Sequence, residues 1–246
     1  MITFRHLGRL GFLGNHLWQI ASTVGVAHRR GDRAAFPFWR YEPYFSVPPE
    51  LFPDLTSVVG EDLVDHFADA PGSDYLQDLR YLRGVEPLIR GYFAPRPELR
   101  DRIVRRNAAS LALPHRTALH VRRGDYLTLP SSHPTLPLDY YREAMTIFEP
   151  PYLVFSDDLA WCREHLPQET CVFVEHNRDY EDLFLTVMCD AHITANSTFS
   201  WWGAWLGGGP AIYPRNWYGP ALATRLDPTV FLPEDAILLE GVPTRG

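Results

Sequence analysis

The sequence predicts an α/β protein built on a parallel, doubly wound sheet, and two observations carry that prediction. In the second half of the 246-residue chain, short apolar runs alternate with segments of helical period. Residues 117–122 precede a helix from Asp139, residues 152–156 a helix from Asp158, 171–174 a helix over 180–189, and 192–195 a helix over 197–206; a last run covers 211–213. Strands alternating with helices in this way form a parallel sheet covered on both faces. In the first half, a strand near residues 2–4 leads through Gly11-Phe12-Leu13-Gly14-Asn15-His16 into an amphipathic helix ending near Arg29. Leu17, Ile20, Ala21, Val24 and Ala27 form its apolar stripe. A Pro- and aromatic-rich stretch follows over 36–45, and a helix over 98–111 ends before Leu113-Pro114, where the boundary between an N-terminal lobe (1–113) and a C-terminal lobe (114–246) is placed.

Composition bounds the function. Hydrophobic residues make up 46% of the chain and aromatics 13%, enough apolar surface to offset chain entropy, so disorder is excluded. A net charge of −7 argues against nucleic acid as a partner. All 23 residues counted as Lys plus Arg are arginine, which excludes a lysine Schiff base and a Walker-type phosphate lysine. Cys162, Cys171 and Cys189 form no C-x-x-C pair and read as buried or free thiols in a reducing compartment. Met1-Ile2-Thr3-Phe4 meets charged Arg5 at once and no run approaches a membrane span, so a cytoplasmic location is expected.

Three motifs stand at predicted strand ends, where open α/β sheets bind ligands. Along residues 117–122, Leu119 and Val121 face one way and His120 and Arg122 the other; the strand stops at Arg123-Gly124-Asp125-Tyr126. At Phe155-Ser156-Asp157-Asp158, one residue serves as a helix N-cap, while a spare carboxylate suits the paired N–H donors of guanine. At Asn196-Ser197-Thr198-Phe199-Ser200-Trp201-Trp202-Gly203, free backbone N–H groups and hydroxyls at a helix start make an anion site, with the tryptophans in the core. Together they describe a nucleoside diphosphate: base at Asp157, phosphates at Arg122 and the 197–200 helix start. No strict Asp-x-Asp occurs, so arginine is left to neutralise the diphosphate in place of a metal clamp.

These motifs, His120-Val121-Arg122-Arg123-Gly124-Asp125-Tyr126 and the Asn196 to Leu206 run above all, resemble those of bacterial and animal α-1,2-fucosyltransferases. The Gly11 to Gln19 element, Leu138-Asp139-Tyr140-Tyr141 and Asp179-Tyr180-Glu181-Asp182 fall in the family's order, so the resemblance spans nearly the whole chain. It implies a GT-B fold, two Rossmann-like lobes with the donor site in the C-terminal lobe facing the cleft and the tail returning to the N-terminal lobe. It also implies inverting transfer from GDP-β-L-fucose to a glycan acceptor, O2 of a galactoside, with no metal or other cofactor and with peripheral membrane association where the acceptor is lipid-linked. On the matching positions, Arg122 grips the β-phosphate and His120 lines the donor pocket. Asp157 reads guanine, Ser197, Thr198, Phe199 and Ser200 bind phosphate, and Asn15 reaches the fucose, with Gly14, Arg123 and Asn196 as further substrate-binding residues. Asp125 and His133 are the two candidates for general base. Phe12 stands where the family carries Gly or Arg, and His16 replaces its Gln. Two other readings stay open: a GT-B enzyme using a different nucleotide sugar, and a non-catalytic GDP-sugar-binding protein.

Overall fold

In the computed structural model, which describes residues 1–55, 64–65 and 75–241, strand β1 (Ile2–Thr3) pairs in parallel with β2 (Val64–Asp65). Helix α1 (Leu13–Arg29) follows the glycine turn. Gly11 has φ +73°, and a Cβ there would collide with the Asn15 side chain, so the turn requires glycine. The five stripe residues of α1 are all buried, and so are Gln19, Ser22 and Thr23. The helix is enclosed nearly all round, which the stripe alone does not show. The aromatic stretch packs as a cluster: Trp39 lies 5.1 Å from Phe45 and 6.1 Å from Phe52, ring centre to ring centre. Helices α2 (Glu86–Tyr92), α3 (Pro97–Arg106) and α4 (Ala108–Leu111) come next.

The predicted helix over 98–111 is therefore two helices. It breaks at Asn107, whose side-chain Nδ2 donates to the Ile103 carbonyl at 2.9 Å, the local back-bonding by which Asn competes with helix continuation.

From Asp101 onward the chain forms a second compact unit, the first being Met1–Arg100. Its core is a parallel sheet of β3 (Thr117–Val121), β4 (Tyr152–Ser156), β5 (Cys171–Phe173), β6 (Ala191–Ile193), β7 (Ala211–Pro214) and β8 (Ile237–Leu239). Helices α5 (Leu138–Met145), α6 (Leu159–His165), α7 (Asp179–Val187), α8 (Thr198–Gly207) and α9 (Pro220–Ala223) complete it. The two units divide inside α3, ahead of the boundary drawn at 113. Arg102 and Arg106, on the C-terminal half of α3, pair with buried Glu181 of α7 at 3.4 and 3.5 Å, which draws that half into the second unit. Strand β8 pairs with β7 in this sheet, and its three apolar residues are too short a run to register as a strand by pattern.

Strand order is β5-β4-β3-β6-β7-β8. The chain enters at the middle, builds outward through β4 and β5, then crosses to the other side of β3. That is the Rossmann order, and its topological switch point lies between β3 and β6. Leu119 and Val121 pack with Tyr140, Tyr141 and Ala144 of α5 and Cys162 of α6. His120, on the opposite face, meets Phe199 of α8. The strand alternation read from the sequence thus sets which residues face each helical layer. All three cysteines are buried and free.

Candidate functional site

The carboxyl ends of β3, β4 and β6 gather most of the predicted residues. Arg122 follows β3 directly, and its guanidinium is held on two sides: Nη2 donates to Asp125 Oδ1 at 2.6 Å and Nη1 meets Asp157 Oδ2 at 2.8 Å. Asp157 also accepts from the Arg123 backbone N–H at 2.9 Å. Both its carboxylate oxygens are therefore engaged within the protein, and a guanine base contacts them only by sharing or displacing these partners. A Cβ on Gly124 would collide with Asp157 Oδ2, so glycine is what lets the β3 turn approach the β4 end.

Arg123 points elsewhere. Its Nε donates to Asp158 Oδ2 at 3.0 Å, and its guanidinium carbon sits 4.2 Å from the Trp161 ring centre. Asp158 also caps α6, accepting from Trp161 N–H at 3.1 Å, while Ser156 Oγ accepts from the Asp158 N–H. Of the adjacent carboxylates, Asp158 caps the helix and holds Arg123, and Asp157 faces Arg122.

At the β6 end, Ser197 caps α8, accepting from Phe199 N–H at 3.3 Å. Ser200 is buried, its hydroxyl donating within the turn to the Ala195 and Ser197 carbonyls. Asn196 is 1% exposed, and its Nδ2 donates to the carbonyls of Pro134 (2.9 Å) and Trp217 (3.1 Å). Ser200 and Asn196 thus brace the loops around the site, whereas Thr198 and Phe199 stay partly exposed at the helix start. Trp201 and Trp202 are core residues, and Trp201 Nε1 donates to the Phe231 carbonyl.

His133 joins this cluster from the loop before α5. Its ring stacks on Tyr126 (5.1 Å, 21°), and its Nδ1 has no hydrogen-bond partner among the described residues. Burial, first, and then Arg122 lower its pKa below 6.5, against an opposing influence from Asp125. His120 Nδ1 likewise has no hydrogen-bond partner among the described residues. Burial and then Arg122 push its pKa down to about 3, so the ring is neutral at pH 7. Two neutral imidazoles therefore flank one guanidinium.

In the first unit, Asn15 lies in the opening turn of α1 and its Oδ1 accepts from Gln77 Nε2 at 3.2 Å; the neighbouring Gly14 is buried. His16 is buried and accepts from Trp39 Nε1 through Nδ1, a packing role. Phe12 is 66% exposed.

Tyr126, Trp161 and Tyr218, whose ring centre lies 6.3 Å from that of His133, are site neighbours that the sequence reading does not name as site residues. Guanidinium planes stack on aromatic faces, so an aromatic beside the Arg pair was a usable signal for Tyr126. Trp161 and Tyr218 had none.

The Asp179-Tyr180-Glu181-Asp182 element starts α7. Glu181 accepts from the Arg178 backbone N–H. Burial pushes the Asp182 carboxyl up to about 7, despite the Asn177 Nδ2 bond at 3.0 Å. The folded state keeps a proton that the unfolded chain releases near pH 4, so stability from this group falls as pH rises from about 4 to about 7. Asp182→Asn is expected to raise Tm by a few degrees at pH 8 and to leave it unchanged at pH 4, read by calorimetric scans at both values.

A Rossmann-type unit with a guanidinium, two neutral imidazoles and a helix start at its switch point defines the class: an α/β protein with these groups where open α/β sheets bind ligands. The family model described as Glycosyl transferase family 11 matches residues 81–234, more than half of the chain, and the chain belongs to that family. It is 39% identical over 117 residues to the O-antigen biosynthesis glycosyltransferase WbnK of Escherichia coli, covering 42% of this chain and 39% of the relative. An alpha-1,2-colitosyltransferase of Escherichia coli is 30% identical over 176 residues, 63% of this chain and 58% of the relative. The galactoside alpha-(1,2)-fucosyltransferase 1 of Ateles belzebuth is 28% identical, with 94% of this chain and 72% of the relative covered. The chain thus spans from about two fifths to under two thirds of the first two relatives. Among solved structures, fucosyltransferase NodZ from Bradyrhizobium aligns with TM-score 0.52 and 14% identity, over 82% of this chain and 91% of that one. POFUT1 in complex with GDP-fucose gives 0.53 and 15%, over 86% and 96%. At such identities these two establish the α/β fold alone. The family match and the motif resemblance agree.

Proposed function

We propose that this protein transfers L-fucose from GDP-β-L-fucose to a hydroxyl of a glycan acceptor, O2 of a galactoside, with inversion. In this reading the arrangement is the two-lobed GT-B type, with the donor on the C-terminal lobe (114–246) and the acceptor on the N-terminal lobe (1–113). The single observation that carries it is Arg122: a guanidinium at the switch-point end of β3, paired with two carboxylates, Asp125 and Asp157, with which an incoming diphosphate competes. The galactoside fucosyltransferases among the relatives, and the GDP-fucose that the NodZ and POFUT1 structures are described with, support the donor and the acceptor class.

The reaction is a single displacement. The acceptor oxygen bonds to the anomeric carbon as the bond to the β-phosphate oxygen breaks, and that electron pair leaves with GDP. Charge grows on the departing phosphate, so Arg122 and the N–H groups at the start of α8 bind the transition state more tightly than the ground state. The acceptor proton goes to His133, which is neutral at pH 7, and Asp125 stabilises the imidazolium that results. Asp125 Oδ1 is already paired with Arg122 at 2.6 Å, which leaves the acceptor proton to His133.

Thermal shifts with GDP, UDP, ADP and dTDP test the nucleotide. GDP is expected to raise Tm most, and equal shifts with all four would remove the guanine reading. The colitosyltransferase among the relatives favours a second donor sugar, colitose, on the same site. Turnover of a colitosyl donor faster than GDP-fucose would select it.

A further inference from the structure

We propose that Tyr126 is the positioning residue of this site, its ring holding the Arg122 guanidinium while that group exchanges partners. The inference rests on the diphosphate role of Arg122 given above. One side chain touches three separate pieces of chain. The Arg122 guanidinium carbon lies 5.2 Å from the Tyr126 ring centre. The His133 imidazole stacks on the same ring at 5.1 Å. The Tyr126 hydroxyl donates to the Asn196 carbonyl at 3.0 Å, and Asn196 in turn holds the Pro134 and Trp217 carbonyls. Tyr126 therefore joins the end of β3, the loop carrying His133 and the entry to α8, across the sheet's switch point.

The geometry explains why a ring is needed. All five N–H donors of a guanidinium lie in its plane. Asp125 and Asp157 each engage one of the terminal nitrogens now, and a phosphate competes for donors in the same plane when it binds. A carboxylate that holds Arg122 therefore shares the guanidinium with the ligand or is displaced by it. The Tyr126 ring instead holds the cation by its π face, 5.2 Å from the guanidinium carbon, a contact that a phosphate oxygen does not have to displace, so it persists through the exchange. Without it, both the orientation of the donors and the spacing to His133 are left to a long side chain with about four free torsions.

The test is a double-mutant cycle read by calorimetric GDP binding, with cooperative thermal unfolding confirmed for each variant. Tyr126→Leu is expected to weaken GDP binding about tenfold, and Tyr126→Phe, which keeps the ring, by less than threefold. In an Arg122→Ala background, Tyr126→Leu is expected to change affinity less than twofold, because the residue through which it acts is gone. Tyr126→Met repeats the cycle if the leucine variant unfolds. The same tenfold loss with Arg122 absent overturns the proposal, since a purely structural role is additive. Binding unchanged in Tyr126→Leu overturns it too, as does loss of folding in both the Leu and Met variants while Tyr126→Phe folds. A wild-type chain that binds no GDP removes the donor reading, and this inference with it; the other outcomes leave the donor reading standing.

Discussion

Replacing Arg122 with alanine is expected to lower kcat/KM for fucosyl transfer several hundredfold, about 3–4 kcal/mol of transition-state stabilisation. The size follows from what the side chain offers and what replaces it. The chain holds no lysine, and the nearby Arg123 is tied to Asp158 and stacked on Trp161, so it is poorly placed to substitute. Removing Arg122 also leaves Asp125 and Asp157 without their cation, which adds repulsion toward an incoming diphosphate. The remaining activity comes from the N–H groups at the α8 start, worth roughly 1.5–3 kcal/mol for each hydrogen bond to a charged group. Steady-state kinetics with GDP-fucose as the varied substrate checks the prediction. A loss below tenfold in a folded variant contradicts the assigned role.

His133→Gln is expected to reduce kcat about a hundredfold and to remove the acid limb of the pH profile. The sign comes from burial. An imidazole whose pKa is lowered below 6.5 stays neutral, and able to accept a proton, to lower pH than an exposed histidine. In the wild type, kcat/KM should therefore rise with pH to a plateau reached below neutrality. Asp125 raises the His133 pKa and Arg122 lowers it. Asp125→Asn is accordingly expected to move the limb to lower pH. A glutamine variant that keeps both the rate and the limb assigns the proton to another group.

Much of the site was legible because its parts are local. The alternation Leu119, His120, Val121, Arg122 gives the two faces of β3, and the strand-to-helix junctions at Asp158 and Ser197 carry ordinary capping residues. What pattern reading could not reach was pairing at a distance. Nothing in the spacing says that Asp157 closes on Arg122, that Asn196 spends its amide on two loop carbonyls, or that the Ser200 hydroxyl is taken up by its own turn. Short polar side chains at a helix entrance bond either to backbone or to ligand, and only the fold decides which. The same holds for the architecture. Alternating strands and helices announce a parallel sheet, but the crossing that sets β6 beside β3 is a tertiary fact. So is the pull of Glu181 on α3, which moves the division of the chain to Arg100.

The most direct measurement is a time course of the wild-type chain with GDP-β-L-fucose and a galactoside panel, in EDTA and again with added Mg²⁺, reading released GDP and the product linkage by NMR. An α-linked fucosyl galactoside formed with equal amounts of GDP, at the same rate under both conditions, is the result predicted when Arg122 carries the diphosphate charge. No product from GDP-fucose while another nucleotide sugar is turned over, or a rate that vanishes in EDTA and returns with Mg²⁺, would contradict it.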